Sequence, residues 1–481
     1  MTLMHTLPDS PDKSLWLNHP EPVKVQAQAH WGHYVWTILA GRHNLLSMWP
    51  KSAYRMNTFA ARFLRQHYFV CNSPDTVKQV FLTDHDNYDR KSPQMRNALE
   101  PLLGDGLFVS DGDLWKERRA YCAPAFENEL LPYYARIMTE CCEEVLTRWS
   151  SLPASTEVDM LNEMARLTAR IIGRTVFGDD TTDEEAAQVV AGFSEYQHNI
   201  DQLSLADTFG IPLLRKVTNP IKRHKCNVSG KQVHEVIDRI IARQEARQNT
   251  EPSSSQFSLI SLFVDGYKGK DARLQGCPLS RIAARNEAIV MFMAGHETTA
   301  NVLAWSWYLL NHDARVEAKL HEELDRVLGG RQPTLDDVPN LPYTRAIFEE
   351  TMRLYPPVPL LTRQAREEDL IRNRLIEKDS IILVIPWLLH RHVEFWEAPD
   401  HFIPERFMPD NSRPDKFTYL PFSVGRRVCL GMRFGLTEGI LCIATLAQAF
   451  KARVKTGHDV NIECRLTLRP KNGLPMRLSK R

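Results

Sequence analysis

The chain has 481 residues, which is enough for two or three ordinary domains or for one unusually large domain. Hydrophobic residues make up 43% and charged residues 25%, a composition typical of soluble globular proteins. The formal net charge of +1 gives no support to binding of nucleic acid or of a strongly acidic partner.

The first residues, MTLMHTLPDSPDKSLWLNHPEPVKVQ, are polar and contain proline. A signal peptide needs a basic start and an apolar run of roughly 7–15 residues, and a membrane span needs ~18 or more apolar residues. Neither pattern is found, so we expect residues 1–30 to form an N-terminal extension without a membrane anchor. The nine cysteines have no repeated spacing, which favours free thiols in a reducing compartment. We therefore expect a cytoplasmic protein.

Helical patterns dominate the chain, with a smaller share of strands. Residues 62–70 predict two short strands, and Ser73 is placed to cap a helix that starts at Pro74. Residues 133–248 are mainly helical in pattern, and residues 380–385 (SIILVI) predict a buried strand. The predicted fold class is mainly α with a smaller β region.

Two turn-rich segments, residues 249–257 and 266–277, indicate loops and could join two domains. The longest predicted helix follows them, over about residues 279–311. From residue 288 onward it is apolar on every side, so we expect it to be buried through the centre of the protein. Its middle carries AGHETT at residues 294–299. Burying this acid and these hydroxyls costs several kcal/mol unless they find partners, and such a breach of local rules is expected at a functional site.

A second unusual segment, PFSVGRRVCLG at residues 421–431, precedes an apolar helix predicted over about residues 433–450. Its glycines permit a tight turn and close approach of the backbone to a flat cofactor. Backbone N–H groups and the helix N-terminus just after Cys429 stabilise a thiolate, and Arg427 is able to pair with a carboxylate. The alternative for a lone cysteine before a helix is a small buried hydrophobic residue.

This segment resembles the haem-binding loop of the cytochrome P-450 superfamily, Phe-x-x-Gly-x-Arg-x-Cys-x-Gly, and matches it at every fixed position. The resemblance implies that Cys429 is the axial ligand of the iron of haem b, where a thiolate favours O–O cleavage. The other cofactor-binding residues that it implies in this loop are Phe422, Gly425, Arg427 and Gly431. It covers residues 31–481 and implies one domain, with haem between the long central helix and the helix after the cysteine loop.

Two more segments resemble cofactor-binding elements of the same family. Trp115 and Arg119 match a Trp-x-x-x-Arg helix, whose i, i+4 spacing places both side chains on one face. The resemblance implies that they reach a haem propionate, whereas the alternative is a packing pair on a surface helix. The segment PVPLLTR at residues 357–363 resembles the one that carries another propionate-binding arginine, here Arg363.

The central AGHETT resembles the family's oxygen-binding element, Ala-Gly-x-Asp/Glu-Thr-Thr. The resemblance implies that Ala294 lies against the haem, that Thr298 supplies a hydroxyl beside the bound oxygen, and that Glu297 feeds protons through ordered water. His296 is given no role beyond lining or hydrogen bonding. A zinc motif of the His-Glu-x-x-His type is rejected because position 300 is alanine.

A buried ionic network is implied behind the cysteine loop. Glu350 and Arg353 lie three residues apart on a helix predicted over residues 341–354, so they share a face. Such a pair is by itself worth only about 0–1 kcal/mol on a surface. Residues 402–407 (FIPERF) resemble the family's Phe-x-Pro-Glu-Arg-Phe segment, whose arginine, here Arg406, joins the pair. We expect these three residues to be structural rather than catalytic.

The family's reaction inserts one oxygen atom of O2 into a substrate, by hydroxylation or epoxidation. Residues 91–108, 291–299, 358–361 and about 466–467, the last in a C-terminal β-hairpin predicted over residues 464–478, are expected to contact the substrate. Candidate pocket residues are Met291, Ala294, Val358, Leu361 and Leu466. Their apolar character predicts a lipophilic substrate, such as a fatty acid, a terpenoid or a steroid.

Electrons are expected from separate proteins, a ferredoxin with its NAD(P)H-dependent reductase. Arg426 and Arg433 are candidates for the docking patch of this partner, although most such arginines are only solvated. Two alternatives stay open. One is a peroxide-driven or isomerase-type haem-thiolate enzyme, whose members usually lack the acid–threonine pair. The other is a non-enzymatic haem sensor, which needs neither a substrate cavity nor a proton relay.

Overall fold

Helices make up most of the computed structural model, which describes residues 20–25, 44–63, 66–178, 181–200, 220–250, 257–268 and 280–481. In chain order the helices are α1 (Pro74–Lys78), α2 (Pro93–Leu103), α3 (Gly112–Cys122), α4 (Leu131–Ser150), α5 (Met160–Phe177), α6 (Asp183–Asn199), α7 (Pro220–Thr250), α8 (Leu259–Tyr267), α9 (Arg281–His312), α10 (Ala314–Leu328), α11 (Pro342–Leu354), α12 (Pro386–Leu389) and α13 (Met432–Ala447). The mainly helical fold class is confirmed. Most of the N-terminal extension and of the two loop segments lies outside the described residues.

The strands form four small sheets. They are β1 (Thr58–Phe63), β2 (Gln66–Cys71), β3 (Glu157–Asp159), β4 (Leu361–Gln364), β5 (Asp369–Ile371), β6 (Arg374–Ile376), β7 (Ile381–Val384), β8 (Phe450–Val454), β9 (Asn461–Cys464), β10 (Leu468–Lys471) and β11 (Pro475–Lys480). The orders are β1-β2-β7-β4, β3-β11-β8, β9-β10 and β5-β6. Strand β7 is buried at all four positions, as its apolar run predicts, because it pairs with β2 on one side and β4 on the other.

Two predicted boundaries near the C-terminus are wrong. The helix after the cysteine loop ends at Ala447, and Phe450 already opens β8. The predicted hairpin over residues 464–478 is also misplaced, because the hairpin is β9–β10 and β11 belongs to the sheet with β3 and β8. Asn472 and Gly473 cause the change of direction, since both have positive φ angles, 64° and 80°. Such consecutive left-handed residues reverse the chain after β10.

The long central helix forms as predicted, over Arg281–His312. Its first turn is capped by Ser280, whose hydroxyl accepts a hydrogen bond from the N–H of Ala283 at 3.2 Å. Gly295 lets it approach α5 closely, since a Cβ atom there would lie 2.6 Å from Cδ1 of Ile172. The absence of a side chain at residue 295 therefore helps to set the distance between α9 and α5.

One hydrophobic cluster extends from Leu46 to Leu478 and includes residues from both sides of the two loop segments. Val236 of α7, Phe263 of α8 and Leu303 of α9 all belong to it. This continuous core includes residues of α9, which carries the acid–threonine motif, and of α13, which follows the cysteine loop. Among the described helices, none combines the length and apolar character that crossing a bilayer requires.

Candidate active site

The long buried stretch of the central helix becomes accessible at the acid–threonine motif. Between residues 286 and 310, every residue is buried except Ala294, Gly295, Glu297 and Thr298. Ala294 is exposed, and its carbonyl oxygen accepts a hydrogen bond from Thr298 Oγ1 at 2.6 Å. The opening therefore presents a small apolar side chain and a hydroxyl on an otherwise buried helix.

The cysteine loop presents a thiol to open space. Cys429 is the exposed one of the eight cysteines in the described ranges, although burial of its surroundings raises the pKa of the thiol. The N–H of Gly431 and the charge of Arg119 act in the opposite direction, toward the thiolate. The N–H of Cys429 donates to the carbonyl oxygen of Phe422 at 2.9 Å, which closes the loop.

The geometry of this loop requires glycine at residue 425, whereas the contacts that a Cβ atom would make at Gly431 are of ordinary van der Waals length. Gly425 has a φ of +76°, and a Cβ atom there would lie 2.0 Å from the carbonyl oxygen of Phe81. A Cβ atom at Gly431 would lie 3.4 Å from the ring of Phe126 and 4.0 Å from the sulfur of Cys429. The backbone is thus able to approach the thiol closely on this side.

Two arginines predicted to bind a propionate lie over the same tryptophan ring. The guanidinium carbon of Arg427 is 4.4 Å from the ring centroid of Trp115, and that of Arg119 is 5.6 Å away. Arg119 Nη1 donates to the carbonyl oxygen of Val428 at 3.0 Å, and Arg427 Nη2 donates to that of Ser110 at 2.8 Å. The helix α3 and the cysteine loop are therefore joined beside Cys429.

These cations have too few anions around them. Burial lowers the pKa of Arg363 to about 9 and that of Arg427 to about 10, with mutual repulsion as a second cause at Arg363. Within the described part of the chain, the Nε atoms of Arg363 and Arg427 have no hydrogen-bond partner. Lys91, which begins a predicted substrate-contact segment, lies near them, since burial and the charges of both arginines lower its pKa. Arg363 is buried, whereas Lys91 and Arg427 are half-buried, and cations withdrawn from water in this way call for an anionic ligand.

The network behind the cysteine loop has the composition that the sequence implies. Glu350 and Arg353 are fully buried, with Arg353 Nε 2.6 Å from one carboxylate oxygen and Nη2 2.7 Å from the other. Arg406 Nε lies 3.4 Å from Glu350 Oε1. The N–H of Ile403 donates to the same oxygen at 2.9 Å. Both carboxylate oxygens of Glu350 are therefore satisfied.

His390 also belongs to this region, although no sequence motif predicted it. It is fully buried, its Nδ1 lies 3.2 Å from the carbonyl oxygen of Arg353, and its Nε2 accepts from the N–H of Leu420 at 2.8 Å. Burial lowers the pKa of His390 to about 3, so the ring is neutral with its proton on Nδ1. It connects the ionic network to the start of the cysteine loop. Its position in the element WLLHRH carries no local signal of this role.

The carboxylate of Glu297 has two partners from distant parts of the chain. Thr467 Oγ1 donates to Glu297 Oε1 at 2.7 Å, and Gln197 Nε2 donates to Glu297 Oε2. Burial raises the pKa of Glu297, against the effect of these bonds and of Arg469. His296, in contrast, is buried and stacks on Phe292 at 5.9 Å. Glu297 is thus held by polar partners, whereas His296 packs against an aromatic ring.

The candidate pocket residues differ in exposure. Val358, Leu361 and Leu466 are partly exposed, whereas Met291 is 6% exposed and belongs to the core cluster. The N–H of Leu468 donates to the carbonyl oxygen of Pro357 at 3.1 Å, which brings the β9–β10 hairpin beside residues 358–361. The structure thus brings the predicted segments 358–361 and 466–467 together.

The candidate docking arginines lie on the surface beside the cysteine loop. Arg426 is exposed and pairs with Asp86 at 3.0 Å, and Arg433 is exposed and donates to Asn128. A cavity of about 640 Å³ lies next to them and is lined partly by Cys429 and Arg433. Their role in docking stays a prediction.

The family follows from a comparison of the whole chain. The sequence profile described as Cytochrome P450 matches residues 30–475. The chain belongs to the cytochrome P450 family. It is therefore a haem-thiolate monooxygenase, which uses haem b, O2 and reducing equivalents to oxidise a small-molecule substrate.

Similar proteins agree with this assignment. Cyclooctatin synthase from Streptomyces melanosporofaciens is 31% identical, over 84% of this chain and 84% of its own length. Carotene epsilon-monooxygenase, chloroplastic, from Arabidopsis thaliana is 26% identical, over 86% of this chain and 78% of its own length. A crystal structure of the cytochrome P450DA heme domain has a TM-score of 0.76 at 22% identity, covering 88% of this chain and 90% of that chain. The last of these shows the fold.

The residues present fit haem b on structural grounds. The thiol of Cys429 is exposed, and Ala294 is the exposed apolar position of the opening in α9. The unpartnered Nε atoms of Arg363 and Arg427 supply donors for carboxylates, as the propionates of haem require. The site thus offers an axial ligand, an apolar face and cationic partners.

Proposed function

We propose that this P450 hydroxylates or epoxidises a large apolar substrate of lipid or isoprenoid type, with electrons from a ferredoxin and an NAD(P)H-dependent reductase. In hydroxylation, a substrate C–H bond, O2, two electrons and two protons give C–OH and water. The partly exposed apolar residues Val358, Leu361 and Leu466, beside the hairpin, support a lipophilic substrate. The relative named for carotene, an isoprenoid hydrocarbon, supports the class.

The observation that carries the oxygenation step is the opening of α9 at Ala294–Thr298, which includes the half-buried acid Glu297. When bound, haem supplies the activation of O2 and the transfer of one oxygen atom. Thr298 Oγ1 donates its proton to the carbonyl oxygen of Ala294, so its lone pairs remain free to accept a hydrogen bond at the opening. Because burial raises the pKa of Glu297, this acid is able to hold and release a proton there.

Other side chains of the site bind and orient. We assign Arg119, Arg363 and Arg427, with Trp115 between two of them, to holding the propionates. Cys429 is held in a loop closed by its own N–H, which fixes the direction of the sulfur. The buried flanks of α9 exclude water from either side of the opening. The acid–threonine pair favours oxygen-dependent turnover over a peroxide-driven reaction or a sensor.

The absorption spectrum of the reduced protein under carbon monoxide tests the thiolate assignment. We expect a strongly red-shifted Soret band, which Cys429→Ala abolishes and Cys442→Ala leaves in place. Cys442 is a suitable control because it is fully buried in α13, 3.5 Å from the sulfur of Cys142. A band that survives Cys429→Ala in folded, haem-loaded protein would contradict the assignment.

Titration with β-carotene, a steroid and a long-chain fatty acid, followed by the spin-state shift of the haem, tests the substrate class. The isoprenoid hydrocarbon is expected to give the largest shift. Turnover under labelled O2 should place one labelled oxygen atom in the product. A shift with none of the three compounds, or oxygenation of small polar compounds alone, would contradict the proposed class.

A further inference from the structure

Three distant elements meet at the carboxyl group of Glu297. Gln197 comes from the last turn of α6, Glu297 from the opening of α9, and Thr467 from the turn between β9 and β10. Gln197 and Thr467 are buried, with 6% and 7% of their surface exposed. Each carboxylate oxygen of Glu297 thus has one neutral hydrogen-bonding partner.

The hairpin turn is fixed to its surroundings by further contacts. Arg465 Nη1 donates to the carbonyl oxygen of His198 at 3.2 Å, which ties the turn to the end of α6. Trp305 Nε1 lies 3.4 Å from the carbonyl oxygen of Leu468, which ties the hairpin to α9. The position of Thr467 therefore depends on how the hairpin lies against both helices.

The chemical type of the two partners fits an acid that gains and loses a proton. A threonine hydroxyl donates to a carboxylate and accepts from a carboxylic acid, and a glutamine amide offers both a donor and an acceptor. An arginine would serve only the charged form. The nearest one, Arg469, stays 3.9 Å from Glu297 Oε1 because it pairs with Glu463 at 2.8 Å. Glu297 is therefore able to keep its hydrogen bonds with Gln197 and Thr467 in both the charged and the protonated form.

We propose that Gln197 and Thr467 are positioning residues for proton delivery, which hold the carboxyl group of Glu297 in place through both of its protonation states. Leu466, a candidate substrate contact, directly precedes Thr467 in the turn. A substrate that contacts Leu466 would therefore also influence the position of Glu297 through Thr467. The inference rests on the proposed role of Glu297 in oxygen-dependent turnover.

The test compares electron use with its products. In coupled turnover, the two electrons of one NADPH yield one molecule of oxygenated product. In uncoupled turnover, when proton delivery is misplaced, they yield one molecule of hydrogen peroxide. With β-carotene as probe and a ferredoxin–reductase pair as electron source, peroxide released per NADPH is measured in the haem-loaded enzyme. We expect Thr467→Val and Gln197→Leu to raise this ratio severalfold. Product per NADPH should fall about tenfold, which is less than the roughly 10²–10⁴-fold loss expected when a general acid is removed altogether.

Two readouts separate positioning from a merely structural role. Thr467→Ser keeps the hydroxyl and should restore the wild-type ratio. The pH profile of product per NADPH should shift to higher pH in Thr467→Val, because removal of a bond that lowers the pKa of Glu297 raises it. Arg469 and Glu463, the charged groups facing this acid from the hairpin, stay in place in every variant.

Controls make every outcome informative. Thr445→Val removes a buried hydroxyl that bonds only within α13, at 2.7 Å to the carbonyl oxygen of Leu441, and should leave the ratio unchanged. If Glu297→Gln leaves turnover fully coupled, the proposed role of the acid fails. If Glu297→Gln uncouples turnover while Thr467→Val and Gln197→Leu match wild type, or Thr467→Ser fails to rescue, the positioning role alone is refuted. The carbon monoxide spectrum confirms intact haem ligation in each variant.

Discussion

Substitution of Arg353 by methionine tests the buried network most directly. Arg353 donates five hydrogen bonds, two to Glu350 and one each to the carbonyl oxygens of His390, Pro399 and His401. Methionine keeps much of the apolar stem and removes every donor. The carboxylate and three carbonyl groups then lose a partner, and the carboxylate and the carbonyl group of His390 are fully buried.

The expected loss of stability follows from these contacts. Breaking a buried ion pair by removing one partner costs about 3–5 kcal/mol. Glu350 keeps the N–H of Ile403 and a distant contact with Arg406, so about 3 kcal/mol is the appropriate share. Each carbonyl left without its donor adds about 1 kcal/mol. The sum of about 6 kcal/mol is a large part of the ~5–15 kcal/mol that stabilises a folded protein.

Urea unfolding followed by far-ultraviolet circular dichroism and by the Soret band measures this loss. Arg345→Met on the same helix is the matched control. Its Nε lies 3.2 Å from Glu349, which keeps Arg413 as a second partner at 3.0 Å. Because the side chain of Arg345 is 41% exposed, its removal should cost less than about 1 kcal/mol. Equal urea midpoints for Arg353→Met and Arg345→Met would refute the reasoning.

Three further predictions concern single sites. Arg363→Gln should speed transfer of haem to apomyoglobin about tenfold or more, since a charge-assisted bond to a propionate is worth about 1.5–3 kcal/mol; an unchanged rate contradicts its role. Burial raises the pKa of Glu287 to about 7, whereas the pKa of a glutamate in the unfolded chain is about 4.3. The contribution of Glu287 to the free energy of unfolding is therefore full at low pH and is lost as the pH rises toward 7. Glu287→Gln should therefore flatten the fall of the urea midpoint across that interval, and parallel curves would contradict this. Gly439→Ala places a Cβ atom 2.2 Å from the ring of Phe348, so calorimetry should show a lower Tm, corresponding to about 1–3 kcal/mol.

Some of the site was predictable because its signals are local. The cysteine loop is a contiguous segment, in which Gly425 is required by a close approach to the backbone of Phe81, and the spacing of this glycine from Cys429 already suggests such a turn. The central helix was predictable because its residues are apolar on every side, a pattern that is typical of a buried helix. Its acid and hydroxyls broke that pattern, and the opening of the helix lies at the same residues.

Other features were beyond the sequence because they depend on packing between distant segments. The partners of Glu297 lie 100 and 170 residues away, on a helix end and a hairpin turn. His390 joins Arg353 to Leu420 through a ring that carries no motif of its own in this chain. The C-terminal hairpin was misplaced because the positive φ angles of Asn472 and Gly473 direct β11 to another sheet.

The cofactor chemistry of this protein can be inferred from the sequence alone, because an axial cysteine and its loop need only a few residues at short, fixed spacings. The tertiary structure decided the surroundings of that chemistry. It gathered the buried Arg363 and the half-buried Lys91 and Arg427 into one group of cations, and it placed Thr467 against Glu297. A local spacing is visible in a short stretch of sequence. These contacts, in contrast, form only when remote segments come together, which costs conformational entropy that the rest of the fold must offset.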